Sequence, residues 1–256
     1  MNNSYVRDDG RLPLQMREIK IDENNEGRMD AGITFAFGDV EVIAGTTGPM
    51  EVSLRDEIVN ESTLDINIRS LNGQNGVQEK AISNKLLETL KSIIILNMNP
   101  RSLIRFVTQT ISSPQLPIYL ANDQKNYSPP MTIPISEKCA IFNSTILVSA
   151  INNLPLRFLV LTVSIGVTSD NVYLIDPTSY EESNCISTHL IGFNITNENG
   201  EEHYNLSVLE SFGEFNEQIV SLFKNFHIIK KILIFVSTTP VNRMYQTKQK
   251  SNKFIV

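Results

Sequence analysis

The fold of this chain is indicated by the stretch Gly38–Glu51, which reads GDVEVIAGTTGPME. The runs 33–37 and 40–44 are rich in β-branched and aromatic residues on either side of a Gly-Asp turn, a pattern that predicts a β-hairpin. We expect Gly48-Pro49 to end the second strand, because proline cannot donate a hydrogen bond to a strand ladder. The hairpin by itself predicts nothing about function.

Outside the hairpin, hydrophobic periodicity predicts further strands and helices. Strands are predicted at 15–22, 64–68, 103–111, 156–167 and 172–175, and a second hairpin joins 189–196 to 204–209. Helices are predicted at 78–96, stopped by Pro100, at 136–152, and from Gly213-Glu214-Phe215-Asn216 through 219–236. This order is typical of an α+β domain in which helices pack on a mixed β-sheet.

The domain organisation follows from proline and charge. We expect one domain over residues 1–240, interrupted at 112–135 by a proline-rich surface loop, because five prolines there exclude a continuous core element. Residues 241–256 form a basic tail with Arg243, Lys248, Lys250 and Lys253. The tail is interpreted as a solvated chain end, with a nucleic-acid arm as the alternative.

Composition bounds the class of protein. The chain has 256 residues, is 41% hydrophobic and carries a net charge of −6, so any contact with a polyanion must come from a local basic patch. Two cysteines far apart and three scattered histidines give no disulfide framework and no zinc spacing. We therefore expect a soluble intracellular protein with no membrane segment, secretory signal, metal or other cofactor.

Five short motifs occur in a fixed order along the chain. They are Asp9-Gly10-Arg11, Gly48-Pro49-x-Glu51, Asn99-Pro100-Arg101, Asp176-Pro177-Thr178-x-x-Glu181-Glu182 and Gly213-Glu214-Phe215-Asn216. Together, in this order and spacing, they resemble the RNase PH family of phosphorolytic 3′ exoribonucleases and the RNA exosome ring subunits that share its fold. The resemblance extends over nearly the whole chain and implies an RNase PH-like fold.

The resemblance also implies partners and a cellular role. It implies a ring subunit of the eukaryotic RNA exosome, joined to other RNase PH-like subunits in a six-membered ring. S1/KH-type cap subunits and a hydrolytic RNase II-like nuclease would complete the assembly, which threads RNA for 3′–5′ processing and degradation, including rRNA maturation. The expected locations are nucleus, nucleolus and cytoplasm. A different ring subunit of the same assembly is an alternative that would change its neighbours only.

The residues that phosphorolysis needs are incomplete. In active relatives, phosphate rests on a Gly-Gly-Thr-Arg-like turn that opens the middle helix, and a further arginine lies near the start of the first long helix. Here the middle helix opens with Pro134–Cys139, which has no glycine or arginine and includes Glu137, while Val77-Gln78-Glu79 takes the place of the second arginine. We therefore expect no catalysis.

Two carboxylates still match the acidic motif of the family. Asp176 and Glu182 are the vestigial catalytic candidates, and the alternative function is an active phosphate-dependent 3′–5′ exoribonuclease that uses both. The structural alternative for Asp176 is an Asx-type turn at the end of a strand, which we prefer.

RNA contact without chemistry is assigned to Arg55. In ring-forming relatives the loop after the Gly-Pro turn lines the central pore and carries arginine, and Arg55 occupies that loop here. The alternative is a solvated charge cluster formed with Asp56, Glu57 and Glu61.

Overall fold

The computed structural model describes residues 7–23, 27, 29–71, 73, 76–114, 133–170, 172–198 and 201–215, without the side chains of 195–198 and 201–204. The chain divides into two compact units, Met1–Glu214 and Phe215–Val256, and only Phe215 of the second is described. The predictions for residues 115–132, for the last helix beyond Phe215 and for the basic tail therefore lie outside the described residues.

The first sheet contains five strands and is mixed. Its strands are β1 (Ile19–Glu23), β2 (Ala31–Phe37), β3 (Val40–Glu51), β4 (Thr63–Arg69) and β5 (Ser102–Ser112). Their order across the sheet is β1-β2-β3-β5-β4; β4 and β5 are parallel and the other pairs are antiparallel. The hairpin of β2 and β3 and the mixed sheet confirm the sequence predictions.

Strand β3 does not end at Gly48-Pro49, and that prediction was wrong. The strand runs on to Glu51, with a register shift against β5 between Thr47 and Met50. Proline is tolerated at such a bulge because no ladder hydrogen bond is required there. Gly48 bonds to side chains instead: its N–H donates to Asp30 Oδ2 at 2.7 Å, and its carbonyl accepts from Asn152 Nδ2 at 2.9 Å.

Helix α1 (Val77–Ile93) confirms the first predicted helix, but it ends before Leu96. Ile94 leaves the helix in extended conformation and bridges Leu156, and a 3-10 turn follows at Leu96–Met98. Pro100 therefore does not terminate α1. The cause is tertiary, because Ile95 N–H and Ile93 C=O bond to the backbone beside Leu156, at Pro155 and Arg157.

Helix α2 (Ile135–Ile151) lies between the two sheets, and nearly all of it is buried, as predicted. On one side the Thr145 and Thr108 hydroxyls are 3.1 Å apart, which ties α2 to β5. On the other side Asn143 Oδ1 accepts the backbone N–H of Thr162 at 2.8 Å. These bonds hold the middle of α2 between β5 of the first sheet and the strand that contains Thr162.

The second sheet is antiparallel and contains four strands. Its order is β7 (Tyr173–Ile175), β6 (Leu159–Thr168), β8 (Cys185–Glu198) and β9 (Glu201–Gly213). The predicted hairpin of β8 and β9 is confirmed and is longer than expected. Gly213 is the last residue of β9 and does not begin a helix, which corrects the sequence interpretation.

A short helix, α3 (Ser179–Asn184), was not predicted. Thr178 caps it, accepting the N–H of Glu181 at 3.3 Å, while Glu181 Oε2 accepts the N–H of Thr178 at 2.8 Å. This reciprocal pair is a capping box, and the Thr-x-x-Glu spacing was the signal available in the sequence. From helix α3, Glu181 contacts Arg7, whereas Glu182 contacts the start of α2.

Candidate functional site

The acidic motif is surrounded by arginines from the first 17 residues of the chain. Arg7, Arg11 and Arg17, which we call the arginine cluster, all bond to the motif, and their side chains are 0%, 11% and 10% exposed. The sequence analysis did not assign these contacts, because the partners lie about 160 to 170 positions later in the chain. The available signals were the Asp9-Gly10-Arg11 motif, which contains Arg11, and three arginines within the first 17 residues of an acidic chain.

Asp176 is fully engaged by the arginine cluster. Its Oδ2 accepts from the backbone N and Nε of Arg17 at 3.0 and 2.8 Å, and its Oδ1 accepts from Arg17 Nη2 at 2.6 Å. Arg11 Nη1 lies 3.4 Å from Oδ2. Ion pairs therefore replace the expected Asx-type turn, and the residue takes a left-handed φ of 51°, which aspartate tolerates. Both carboxylate oxygens of Asp176 are therefore bonded to groups of the chain itself.

Glu181 and Arg7 form a bidentate ion pair in which both side chains are buried. Arg7 Nε and Nη2 donate to the two carboxylate oxygens of Glu181 at 2.8 and 2.6 Å, and further N–H groups of Arg7 reach the carbonyls of Ile175 and Asp176 at 3.0 and 2.8 Å. Burial opposes ionisation of Glu181, but the hydrogen bonds from Arg7 and the Thr178 N–H, together with the charges of Arg7 and Arg11, lower its pKa. This pair fastens the N-terminal segment to β7 and α3.

Glu182 lies at the N-terminus of α2, where the family resemblance implies a phosphate site in active relatives. Both of its carboxylate oxygens accept the N–H of Ile135, the first residue of α2, at 3.0 and 3.1 Å. Pro134, the N-cap of α2, makes no side-chain capping bond, so Glu182 supplies the cap from another helix. The N-terminus of α2, which attracts anions, is thus occupied by a carboxylate of the chain itself.

Glu137 adds a second carboxylate to the same turn. It is buried, and its Oε1 accepts from Thr110 Oγ1 at 2.8 Å. Burial raises its pKa, and burial together with the neighbouring Glu137 raises the pKa of Glu182 to about 7. Two carboxylates around one helix N-terminus make the site repulsive to a phosphate whenever both are ionised.

Lys138, which follows Glu137 in α2, forms an ion pair with an acidic residue of β9. Lys138 Nζ lies 3.0 Å from Glu210 Oε1, and Lys85 Nζ lies 3.1 Å from Glu210 Oε2, so one carboxylate of β9 bridges α1 and α2. Burial opposes ionisation of Glu210, but the two ammonium groups lower its pKa. Lys138 is therefore committed to Glu210 and is not free to receive phosphate.

The start of α1 carries structural contacts in place of an arginine. Gln78 Oε1 accepts the N–H of Ile133 at 3.1 Å, and Glu79 Oε2 accepts the N–H of Gly76 at 2.9 Å. Val77 is 88% exposed. Gln78 and Glu79 thus bind backbone groups of the chain, and none of the three residues brings a positive charge to the site.

The position of Glu182 predicts a pH-dependent stability. A pKa raised from 4.5 to about 7 gives stability that is fully present below pH 4.5 and is lost as pH rises through 7. Glu182→Gln keeps an oxygen for Ile135 N–H without the charge, so at pH 8 it should be more stable than the parent by about 3 kcal/mol, with little difference at pH 4.5. Thermal unfolding of both proteins across this range measures the difference. The control Glu88→Gln, at an exposed position, should show no such divergence, and parallel curves for Glu182→Gln would refute the assignment.

Arg55 lies in the exposed loop between β3 and β4, as the sequence predicts. The loop turns at Ser53–Asp56, where Asp56 N–H donates to the Ser53 carbonyl at 2.9 Å. Glu57 is paired with Arg101, at 3.3 Å, rather than with Arg55. In the part of the chain that the structure describes, no ion pair engages Arg55, so its charge faces solvent.

Neither a metal nor a membrane segment is indicated by the described residues. Among them, no three histidine, cysteine or acidic side chains converge as metal ligands, and no helix is long and apolar enough to cross a bilayer. Cys139 and Cys185 are both buried free thiols, and burial raises the pKa of each to about 12.

Comparison with known proteins gives the family. Residues 15–147 match the model of the 3′ exoribonuclease family, domain 1. The Saccharomyces cerevisiae exosome complex component RRP46 is 26% identical over 196 residues, which cover 76% of this chain and 82% of that protein. The Oryza sativa subsp. japonica exosome complex exonuclease RRP46 homolog is 27% identical over 186 residues, covering 72% and 70%. These names agree with the subunit that three of the five motifs, those beginning at Gly48, Asp176 and Gly213, most resemble, ribosomal RNA-processing protein 46.

Solved structures share the fold. The crystal structure of rice Rrp46 superposes with a TM-score of 0.72 at 22% identity, covering 91% of this chain and 99% of that one. The Archaeoglobus fulgidus exosome with RNA bound to the active site gives a TM-score of 0.66 at 14% identity, covering 92% and 93%. The RNase PH-like fold expected from the sequence is confirmed.

Proposed function

Because this chain belongs to the RNase PH family of 3′ exoribonucleases, we propose that it is a non-catalytic ring subunit of the RNA exosome. Its relatives in yeast and rice are named as exosome proteins of the RRP46 type, which supports the assembly. In this role the chain builds a ring wall with other RNase PH-like subunits, beneath S1/KH-type caps and beside a hydrolytic RNase II-like nuclease. The ring acts in RNA degradation and rRNA maturation in the nucleus, nucleolus and cytoplasm.

One observation carries the non-catalytic assignment: the carboxylate of Glu182 occupies the N-terminus of α2. Phosphorolysis needs inorganic phosphate as the nucleophile, and a helix N-terminus without glycine or arginine, already capped by a carboxylate, offers it no place. The alternative enzyme would need Asp176 and Glu182 as its acids. Asp176 is held by the arginine cluster and Glu182 by α2, so neither is directed at a substrate.

The surface of the second sheet supports assembly. Among the described strands β9 is a sheet edge, and Leu206, Leu209 and Phe212 on it are 39%, 37% and 48% exposed. Unpaired edges with apolar side chains promote association. Expressed alone, the chain should self-associate or precipitate, and co-expression with an RNase PH-like exosome subunit should give a soluble heterodimer in size-exclusion chromatography. A monodisperse monomer at micromolar concentration, unchanged by the partner, would contradict ring assembly.

Arg55 is proposed as the RNA contact of this subunit. If its free charge holds one RNA phosphate, Arg55→Glu should weaken RNA binding by the assembled ring and lower the slope of log affinity against log salt by about one unit. The matched control is Arg69→Glu, which makes the same charge change at the far end of β4. RNA affinity at two or more salt concentrations is the measurement. Equal affinities and slopes for Arg55→Glu and the parent ring would mean that Arg55 is a solvated surface charge.

A further inference from the structure

The loop that carries Arg55 also presents an isolated serine hydroxyl next to acids. Ser53 is exposed at the first position of the turn Ser53–Asp56, and its carbonyl, not its hydroxyl, forms the turn hydrogen bond. Within the described ranges, no hydrogen bond engages its hydroxyl. Asp56 lies three positions after Ser53 in the sequence, and Glu57 lies four positions after it. Asp56 is exposed, and no ion pair holds its carboxylate among the residues that are described.

Each of the other hydroxyls with an acid three positions later is buried, is hydrogen-bonded, or has an acid that is paired. They are Ser62, Thr178, Ser179, Ser207 and Ser211. Ser62 is buried, Thr178 caps α3, Ser179 donates to the Pro114 carbonyl at 2.6 Å and Ser211 bonds to His189 at 2.8 Å. Ser207 is exposed, but its acid is Glu210, which is held by two lysines. Ser53 alone among these combines an exposed hydroxyl with an exposed, unpaired acid in the described structure.

We propose that Ser53 is a phosphorylation site for an acid-directed serine/threonine kinase, and that its phosphoryl group switches off the RNA contact at Arg55. Such kinases bind acidic residues of the substrate through clusters of basic residues. Asp56 supplies the carboxylate that such a cluster would bind. The Ser53 oxygen attacks the γ-phosphorus of ATP, the bond from that phosphorus to the ADP oxygen breaks, and the hydroxyl proton passes to the catalytic base of the kinase. The acids beside Arg55, which would weaken an RNA contact, thereby acquire a function.

The expected electrostatic effect of phosphorylation follows from the short separation of Ser53 and Arg55 in the sequence. Residues 51–61 contain Glu51, Asp56, Glu57 and Glu61 against one arginine, a formal charge of −3. A phosphoserine adds about −1.5 to −2 at pH 7 and brings three acceptor oxygens within two residues of Arg55. The guanidinium then has a phosphate of its own chain to bind, and RNA phosphates are repelled. The switch rests on the proposed RNA contact, whereas the modification itself does not.

The first experiment tests the site. The full chain, in its soluble heterodimer with an RNase PH-like exosome subunit, is incubated with ATP, Mg²⁺ and a purified acid-directed serine/threonine kinase, and the phosphopeptides of this chain are mapped by mass spectrometry. We expect one phosphoryl group on Ser53, none on that peptide in Ser53→Ala, and a rate lower by about tenfold in Asp56→Asn, which loses one charge-assisted contact to the kinase. Ser207→Ala is the matched control and should behave as the parent. Absence of phosphate on Ser53, or an Asp56→Asn rate equal to the parent rate, overturns the site.

The second experiment tests the switch. Rings assembled from phosphorylated and unphosphorylated chain are compared for RNA affinity, together with Arg55→Glu rings. We expect phosphorylation to lower affinity at least as much as Arg55→Glu does, and to have no further effect when Arg55 is already replaced. If Arg55→Glu weakens binding and phosphorylation does not, the switch is wrong while the RNA contact stands. If neither change has an effect, the RNA contact is what fails, and the switch fails with it.

Discussion

Replacing Arg7 with methionine should destabilise the chain by about 3–5 kcal/mol, the largest single-residue effect that we expect. The side chain of Arg7 is 0% exposed and binds both oxygens of Glu181 and the carbonyls of Ile175 and Asp176. Removing it leaves the buried Glu181 carboxylate without its ion-pair partner, bonded only to the N–H of Thr178 among the contacts described above. Because a domain is stabilised by only about 5–15 kcal/mol in total, the change should be visible as a large fall in the urea midpoint.

Two controls separate this effect from a general loss of charge. Arg105→Met breaks an ion pair of 2.8 Å with Asp65, but both side chains are about half exposed, so it should cost less than about 1 kcal/mol. The double variant Arg7→Met/Glu181→Met removes the unpaired charge and should recover much of the loss. Equal urea midpoints for Arg7→Met and Arg105→Met would show that the arginine cluster does not hold the N-terminal segment.

Much of the fold could be predicted because the local pattern of apolar residues along the sequence indicates its strands and helices. In the hairpin of β2 and β3, buried and less buried residues alternate along much of each strand on either side of a Gly-Asp turn. Helix α2 is rich in apolar residues and is buried on nearly every side. The errors arose where tertiary contacts overrode local rules. Strand β3 continues past Pro49 because Asp30 and Asn152 bind Gly48, and α1 ends early because its last turn bonds to the backbone around Leu156.

The site was predicted as a set of residues but not as a set of contacts. Sequence reasoning found that Pro134–Cys139 lacks a phosphate turn and that Asp176 and Glu182 remain. It could not find that Glu182 caps α2, since the two lie 47 positions apart, nor that Arg7 and Arg17 bind the motif from the other end of the chain. A short helix such as α3 gives no periodic signal, and its first turn carries both Glu181 and Glu182.

Phosphorolysis by this chain should be undetectable. Active relatives place phosphate on backbone N–H groups and arginine, and each such donor contributes to the charge stabilisation that phosphoryl transfer requires. Here the Ile135 N–H binds Glu182, Lys138 binds Glu210, and the start of α1 has no arginine. Glu182→Gln alone should not restore activity, because it removes a repulsive charge without supplying an arginine.

The most direct test of the account is release of ADP from poly(A) by the purified chain, in its soluble heterodimer, with inorganic phosphate and Mg²⁺. The partner subunit assayed without this chain and an active RNase PH provide the negative and positive controls. We predict no phosphate-dependent ADP from this chain, and no change in Asp176→Asn. Phosphate-dependent release of ADP that disappears in a folded Asp176→Asn variant would contradict the non-catalytic assignment and establish the chain as an exoribonuclease.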